Sequence, residues 1–342
     1  MYSIEFSRII KKYLFILGLG EQIRSLSYLI DDLINGNILT RNKSLENIHK
    51  GKRCFIIGTG LSVNDIELSK LAEEYTFGGN FIIYHPDFHK LNLKFYVSPP
   101  STSTLKYISS KEVPVDSNIF SEEDMKVWLD NEAILSTYSV DPYKYFSQID
   151  VNLNNNTLLF FGAGSKKFIE KNNIFKDKDI FYLKPYKSVL SAKDQIIDLS
   201  KRITFFQNVV LMMLAIAMYM GFEEIFIVGN DYTFKPAREF HFYDELHISK
   251  TISSKKAAEW TEKIARARNI EVYKIMEDED YYKPIFVQHN KKIDTHIVVK
   301  NFVESMGVRI FNIIPEDFES PVYKGVSWQY VVENVLTVKQ AK

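Results

Sequence analysis

Cysteine is nearly absent: Cys54 is the only one in 342 residues. That excludes an intrachain disulfide framework and a cysteine-built metal site, and it suits a reducing compartment. A charge excess is lacking too, because Lys plus Arg and Asp plus Glu each total 43. Nothing in the net charge favours nucleic acid or an anionic membrane as main partner, so an anionic ligand has to be met by a local site. Long apolar runs are missing as well. Residues 13–20 follow Lys11 and Lys12 somewhat as in a signal peptide, but no small-residue cleavage site follows and the run is far below the roughly 20 residues that span a bilayer.

What remains is an ordinary globular composition, 46% apolar and 25% charged, which excludes disorder as the main state. Phe6, Ile9, Ile10, Tyr13, Leu14 and Leu17 predict an amphipathic helix over 4–33. Packing on the main domain or on another copy of the chain is its first reading. Peripheral attachment to the inner face of the cytoplasmic membrane is the second. The expected location is the cytoplasm.

From Lys52 onward short apolar segments alternate with helical stretches, which predicts an α/β fold with a mostly parallel sheet. Strands are expected at 53–57, 81–84, 94–97, 157–161, 180–183, 224–228, 271–275 and 308–312. The stretch 205–219 is apolar nearly all round and predicts a buried central helix ended by Gly221. The first strand runs into Gly58-Thr59-Gly60-Leu61-Ser62, with Asn64 or Asp65 expected to cap a helix from Ile66. Glycines let a backbone approach an anion, and free amides at a helix start point towards it, so the turn reads as a nucleotide site. It has neither the Lys-Ser/Thr ending of a Walker loop nor the third glycine of a dinucleotide fingerprint.

Three blocks together resemble the bacterial lipooligosaccharide sialyltransferases. The first is the glycine turn with Val63-Asn64-Asp65, followed by Thr76-Phe77-Gly78-Gly79-Asn80. The second is Arg202-Ile203-Thr204, the central helix and the run from Gly221 to Gly229-Asn230-Asp231-Tyr232. The third is His289-Asn290-Lys291-Lys292-Ile293-Asp294 with the strand after it. The same pattern occurs in the related Maf flagellin glycosyltransferases and archaeal hydroxymethylpterin pyrophosphokinases. Leu61 stands where the sialyltransferases have proline.

The resemblance implies a variant GT-A, Rossmann-like nucleotide-binding domain over 51–320, with a small lid at about 232–288, an N-terminal helical segment over 1–50 and a C-terminal tail or helix over 321–342. It implies inverting transfer of a sialic-acid-like sugar from a CMP donor to a surface glycan, with no metal and no cofactor. On that reading the partners are a sugar nucleotide and a glycan acceptor. The nucleotide is expected at Gly58, Thr59, Gly60, Leu61, Ser62, Asn80, Ser98, Thr204, Asn208, Gly229 and Asp231, with Gly162 a further glycine turn at the same edge. The general base is expected at His289, in a loop just before a helix, with His241 and His247 as rivals. Tyr232 and Tyr243, then Tyr281 and Tyr282, are the candidate phosphate donors. Asp278-Glu279-Asp280 matches an Asp-x-Asp metal motif in letters, but its late position favours a solvated acidic turn. Two rival functions share the fold: a magnesium- and ATP-dependent pterin pyrophosphokinase, and a non-catalytic glycan-assembly subunit.

Overall fold

The computed structural model describes residues 36–98, 142–184, 196–204, 208–231, 283–316, 318–320 and 322–338, with side chains for all of these except 36–37 and 283–292. Eight strands form one sheet: β1 Arg53–Ile57, β2 Thr76–Gly79, β3 Phe95–Ser98, β4 Leu158–Gly162, β5 Ile180–Leu183, β6 Glu224–Val228, β7 Arg309–Ile313 and β8 Lys324–Val326. Their spatial order is β5-β4-β3-β2-β1-β6-β7-β8 and every pairing is parallel. Parallel pairing demands crossovers that cover both faces, and the central strands β1 and β6 are accordingly buried except for Glu224 at the start of β6.

Alternation along each strand divides the core. Phe55 and Ile57 of β1 join one cluster, while Cys54 and Ile56 join the other. On the first face Phe55 stacks on Phe226 and Phe226 on Phe311, both with ring centroids 5.1 Å apart, so one aromatic ladder crosses β1, β6 and β7. The second face receives the central helix, α3 (Val209–Tyr219), whose eleven residues are all buried. It starts four residues later than the apolar run suggests, because Asn208 caps it by accepting from the Leu211 amide. Two helices, α1 (Pro142–Asn152) and α2 (Lys166–Asn172), flank β4 in sequence, and α4 (Lys283–Ser305) packs against β7 and α3.

One expected strand is corrected. The second lies at Thr76–Gly79, and 81–84 belongs to a 3-10 turn, Asn80–Tyr84, that buries Phe81, Ile82 and Ile83. Glycine is required in β2, since a Cβ on Gly79 would lie 2.3 Å from the Val97 carbonyl oxygen. The C-terminal segment is not merely a tail or helix, because β8 extends the sheet beside β7. Residues 36–50 also dock on the main body: the Asn42 amide donates to Tyr182 and Leu199 carbonyls, and the His49 backbone amide to Met220. The expected helix over 4–33 and strand over 271–275 lie outside the described residues. Among the described residues no helix is long and apolar enough to cross a membrane.

At the start of β1, Arg53 and Glu74 form a buried bidentate pair, with contacts of 3.0 and 2.7 Å. Buried charge of this kind is tolerated because each partner satisfies the other. It anchors the end of the sheet opposite the glycine turn.

Candidate functional site

The chain leaves β1 towards β5 on one side and returns through β6 to β8 on the other. The carboxyl ends of β1 and β6 therefore form the topological switch point, the place where doubly wound sheets receive ligands. Gly58, Thr59, Gly60, Leu61 and Ser62 lie at one side of it, Gly229 and Asp231 at the other.

The two loops are stitched together. Gly58 donates its amide to Val228 at 2.7 Å and Gly60 to Gly229 at 2.8 Å. The Ser62 hydroxyl accepts from the Gly229 amide at 3.1 Å and donates to Asp231 Oδ1 at 2.5 Å, while the Ser62 amide donates to Asp231 Oδ2 at 3.0 Å. This approach leaves no room for side chains. A Cβ on Gly58 would sit 2.3 Å from the Gly229 oxygen, and Gly229 itself holds φ at +69°.

Sequence reasoning expected free amides at a helix start, and here the structure differs. The turn leads into a five-residue 3-10 segment, Leu61–Asp65, without a side-chain cap, and Ile66 is extended, so neither Asn64 nor Asp65 caps a helix there. The anion that meets the Ser62 amide is the protein's own Asp231 carboxylate. Leu61 is a buried core residue. Asn64 accepts instead from His85 Nε2 at 3.0 Å, while His85 Nδ1 accepts from the Asp87 amide, which fixes that ring as its neutral Nε2–H tautomer.

Asn80 follows β2 in the left-handed region, φ 51°, a conformation asparagine tolerates better than most residues. Its side-chain oxygen, Oδ1, is buried and has no hydrogen-bond partner among the described residues. Its carbonyl accepts from the Tyr96 hydroxyl at 2.5 Å, and Tyr96 lies 3.3 Å from the hydroxyl of Tyr145, which lies 3.0 Å from Ser98 Oγ. Asn80 and Ser98 are thus joined through two tyrosines that sequence reasoning did not single out. Burial pushes the Tyr145 phenol above its ordinary range, so it stays a protonated donor near neutrality.

Thr204 and Asn208 have local partners. The Thr204 hydroxyl accepts from the Ile196 amide at 2.8 Å. Because Asn208 Oδ1 is committed to capping α3, its Nδ2 is the donor towards His296 Nε2, 3.0 Å away. His296 Nδ1 contacts the Tyr323 hydroxyl at 2.5 Å, and both residues are buried. With Nε2 accepting, His296 is a neutral imidazole whose Nδ1–H donates to Tyr323. Desolvation raises the Tyr323 phenol far above its ordinary value. This chain ties α3, α4 and the C-terminal segment together beneath the ligand edge.

His289 lies within α4, in its second turn, and not in a preceding loop; its side chain lies outside the described residues. His241, His247, Tyr232, Tyr243, Tyr281, Tyr282 and the acidic triplet 278–280 also fall outside them. Gly162 ends β4 at the same edge and leads into a short 3-10 turn, Ala163–Ser165. Among the described residues no group of three or more His, Cys, Asp or Glu could hold a metal ion. No family model matches the chain, and no curated protein or solved structure matches it at a significant level.

Proposed function

We propose that the protein is an inverting glycosyltransferase that moves a sialic-acid-like sugar from a CMP donor to a bacterial surface glycan. The observation that carries this reading is Asn80: a buried carbonyl-type acceptor without a partner among the described residues, at the carboxyl end of the strand beside the switch point. Such an oxygen suits a hydrogen-bond donor, the exocyclic amine of cytosine or a ribose hydroxyl, better than a phosphate oxygen. The Ser62 amide, already bonded to Asp231, supports a nucleotide laid along the edge rather than one cradled by the glycine turn.

In the proposed reaction the acceptor hydroxyl attacks the anomeric carbon and passes its proton to His289. The bond from that carbon to the phosphate oxygen breaks as the new one forms, and CMP leaves with the electron pair. Tyr232 and Tyr243, or Tyr281 and Tyr282, donate hydrogen bonds to the departing phosphate, which carries less charge than a diphosphate and so needs fewer donors. GT-A architecture, a lid over the donor and a metal-independent mechanism belong to the same proposal.

Release of CMP from CMP-N-acetylneuraminic acid and related CMP-sugars tests it. Turnover abolished by His289→Ala, with donor affinity retained, supports the reading. Tight binding of another sugar nucleotide with no CMP compound bound below millimolar concentration contradicts the donor. Strong magnesium-dependent binding of ATP favours the pyrophosphokinase alternative instead.

A further inference from the structure

α4 runs back along β7: only residues 306–308 separate the two, so the helix ends at the amino edge of the sheet and its first turns reach the carboxyl edge. At about 1.5 Å per residue its 23 residues span roughly 34 Å, about twice the length of the five-residue β7, so the helix outruns the strand. Its inward stripe holds Ile293, His296, Val299 and Val303 at helical spacing, and His296 is fully buried there. Position 289 lies seven residues earlier, about 10 Å further along the axis and within about 20° of the same face.

Three elements meet at the His296 ring. Asn208 Nδ2 donates to Nε2 at 3.0 Å, Nδ1–H donates to the Tyr323 hydroxyl, and the Tyr323 ring meets the imidazole edge-on with centroids 5.6 Å apart. An imidazole that accepts on one nitrogen and donates from the other satisfies both neighbours at one rotation of the helix only; a shift by one residue swings it about 100° away. A buried polar contact of this kind can fix register even where it adds little stability. The same contact reaches the edge that carries Asn80. Asn208 caps α3, and Val209, the first residue of α3, abuts the end of β2 so closely that a Cβ on Gly79 would lie 2.7 Å from its side chain. Asn80 is the next residue. One hydrogen-bond chain thus joins the helix beside Asn80 to the helix that carries His289.

We propose that His296 is a positioning residue for the transfer reaction: clasped between Asn208 and Tyr323, it fixes the rotation of α4 and so the place from which His289 takes the acceptor's proton. The assignment rests on the glycosyltransferase reading with His289 as base. His296 acts through the helix, not on a reactant.

CMP release from CMP-N-acetylneuraminic acid, with water in place of the acceptor hydroxyl, and CMP affinity by calorimetry are measured in the natural chain, His296→Leu, His296→Asn and Tyr323→Phe. In parallel the chains are labelled at histidine Cε1, and His289→Gln assigns the His289 resonance among the seven histidines. The expected result is a kcat lowered about a hundredfold in His296→Leu, with KM and CMP affinity within about twofold of the natural chain. His296→Asn, which keeps a donor towards Tyr323, recovers part of the loss, and the His289 resonance moves in His296→Leu. Tyr323→Phe removes a single hydroxyl, lowers kcat in the same sense, and carries the test if His296→Leu does not fold. A kcat unchanged in both variants, or one that falls only in step with CMP affinity, overturns the positioning role and leaves the transferase reading standing. No turnover and no CMP binding by the natural chain overturns the transferase reading. In that case a His289 resonance that still moves in His296→Leu supports His296 as the residue that places the first turns of α4, and an unmoved one overturns that as well.

Discussion

Replacing Asp231 with Ala removes the acceptor that holds the β1 and β6 loops together. The Ser62 amide and hydroxyl each lose a bond to a carboxylate, at 3.0 and 2.5 Å. Hydrogen bonds to a charged group contribute about 1.5–3 kcal/mol each. Both end on one partly buried side chain, so the lower end of that range applies and the expected loss is about 3 kcal/mol. Asp231→Asn keeps an oxygen for the amide but turns an NH₂ towards the hydroxyl, and should lose about 1–2 kcal/mol. Ser62→Ala breaks the same contact from the other side, so the double variant should show a coupling energy of about 1–3 kcal/mol. Urea unfolding followed by circular dichroism measures all three, with an unchanged m-value confirming a pure stability effect. A change within about 0.5 kcal/mol for Asp231→Ala, typical of an unconnected surface position, would refute the stitch.

Glu74→Ala takes its carboxylate partner from the buried Arg53 guanidinium, and should cost about 3–5 kcal/mol in the same unfolding assay. Tyr145→Phe deprives the fully buried Ser98 hydroxyl of its partner and should cost about 1–3 kcal/mol. Stability should also fall in acid through His49. Burial, then Lys52, holds its imidazole below the ordinary value, so from about pH 6.5 downward the unfolded chain binds the proton first. The stabilisation is present above that pH and is lost as pH falls towards the folded value. His49→Phe suits neighbours Tyr75, Phe95 and Phe222 and should show a shallower decline in urea midpoint between about pH 7 and 5; an unchanged slope would count against this assignment.

The strands that could be read in advance were those with uninterrupted apolar runs. The limits of β1, β5 and β6 follow directly from such runs. β2 was missed because Gly78 and Gly79 carry no β-forming side chain, whereas the apolar run just beyond them is buried as a 3-10 turn. β8, three residues with a glycine at its centre, failed for the same reason. At the site, the glycine turn and Asn80 were legible because a strand ending in glycine or asparagine is a local signal. The Ser62–Asp231 contact spans 169 positions and exists only because β1 and β6 are neighbours. His296, Tyr96 and Tyr145 sit among apolar residues with ordinary spacing, so nothing local distinguishes them from core filler.

The central claim is that a cytidine nucleotide lies along the edge between Asn80 and the switch point. Titration calorimetry with CMP, comparing the natural chain with Asn80→Gly, tests it most directly, because glycine accepts the φ of 51° without strain and removes only the side chain. The account predicts submillimolar CMP binding that weakens about five- to tenfold in the variant while the urea midpoint stays put. Equal CMP affinity in both chains, or no binding of CMP by the natural one, would contradict it.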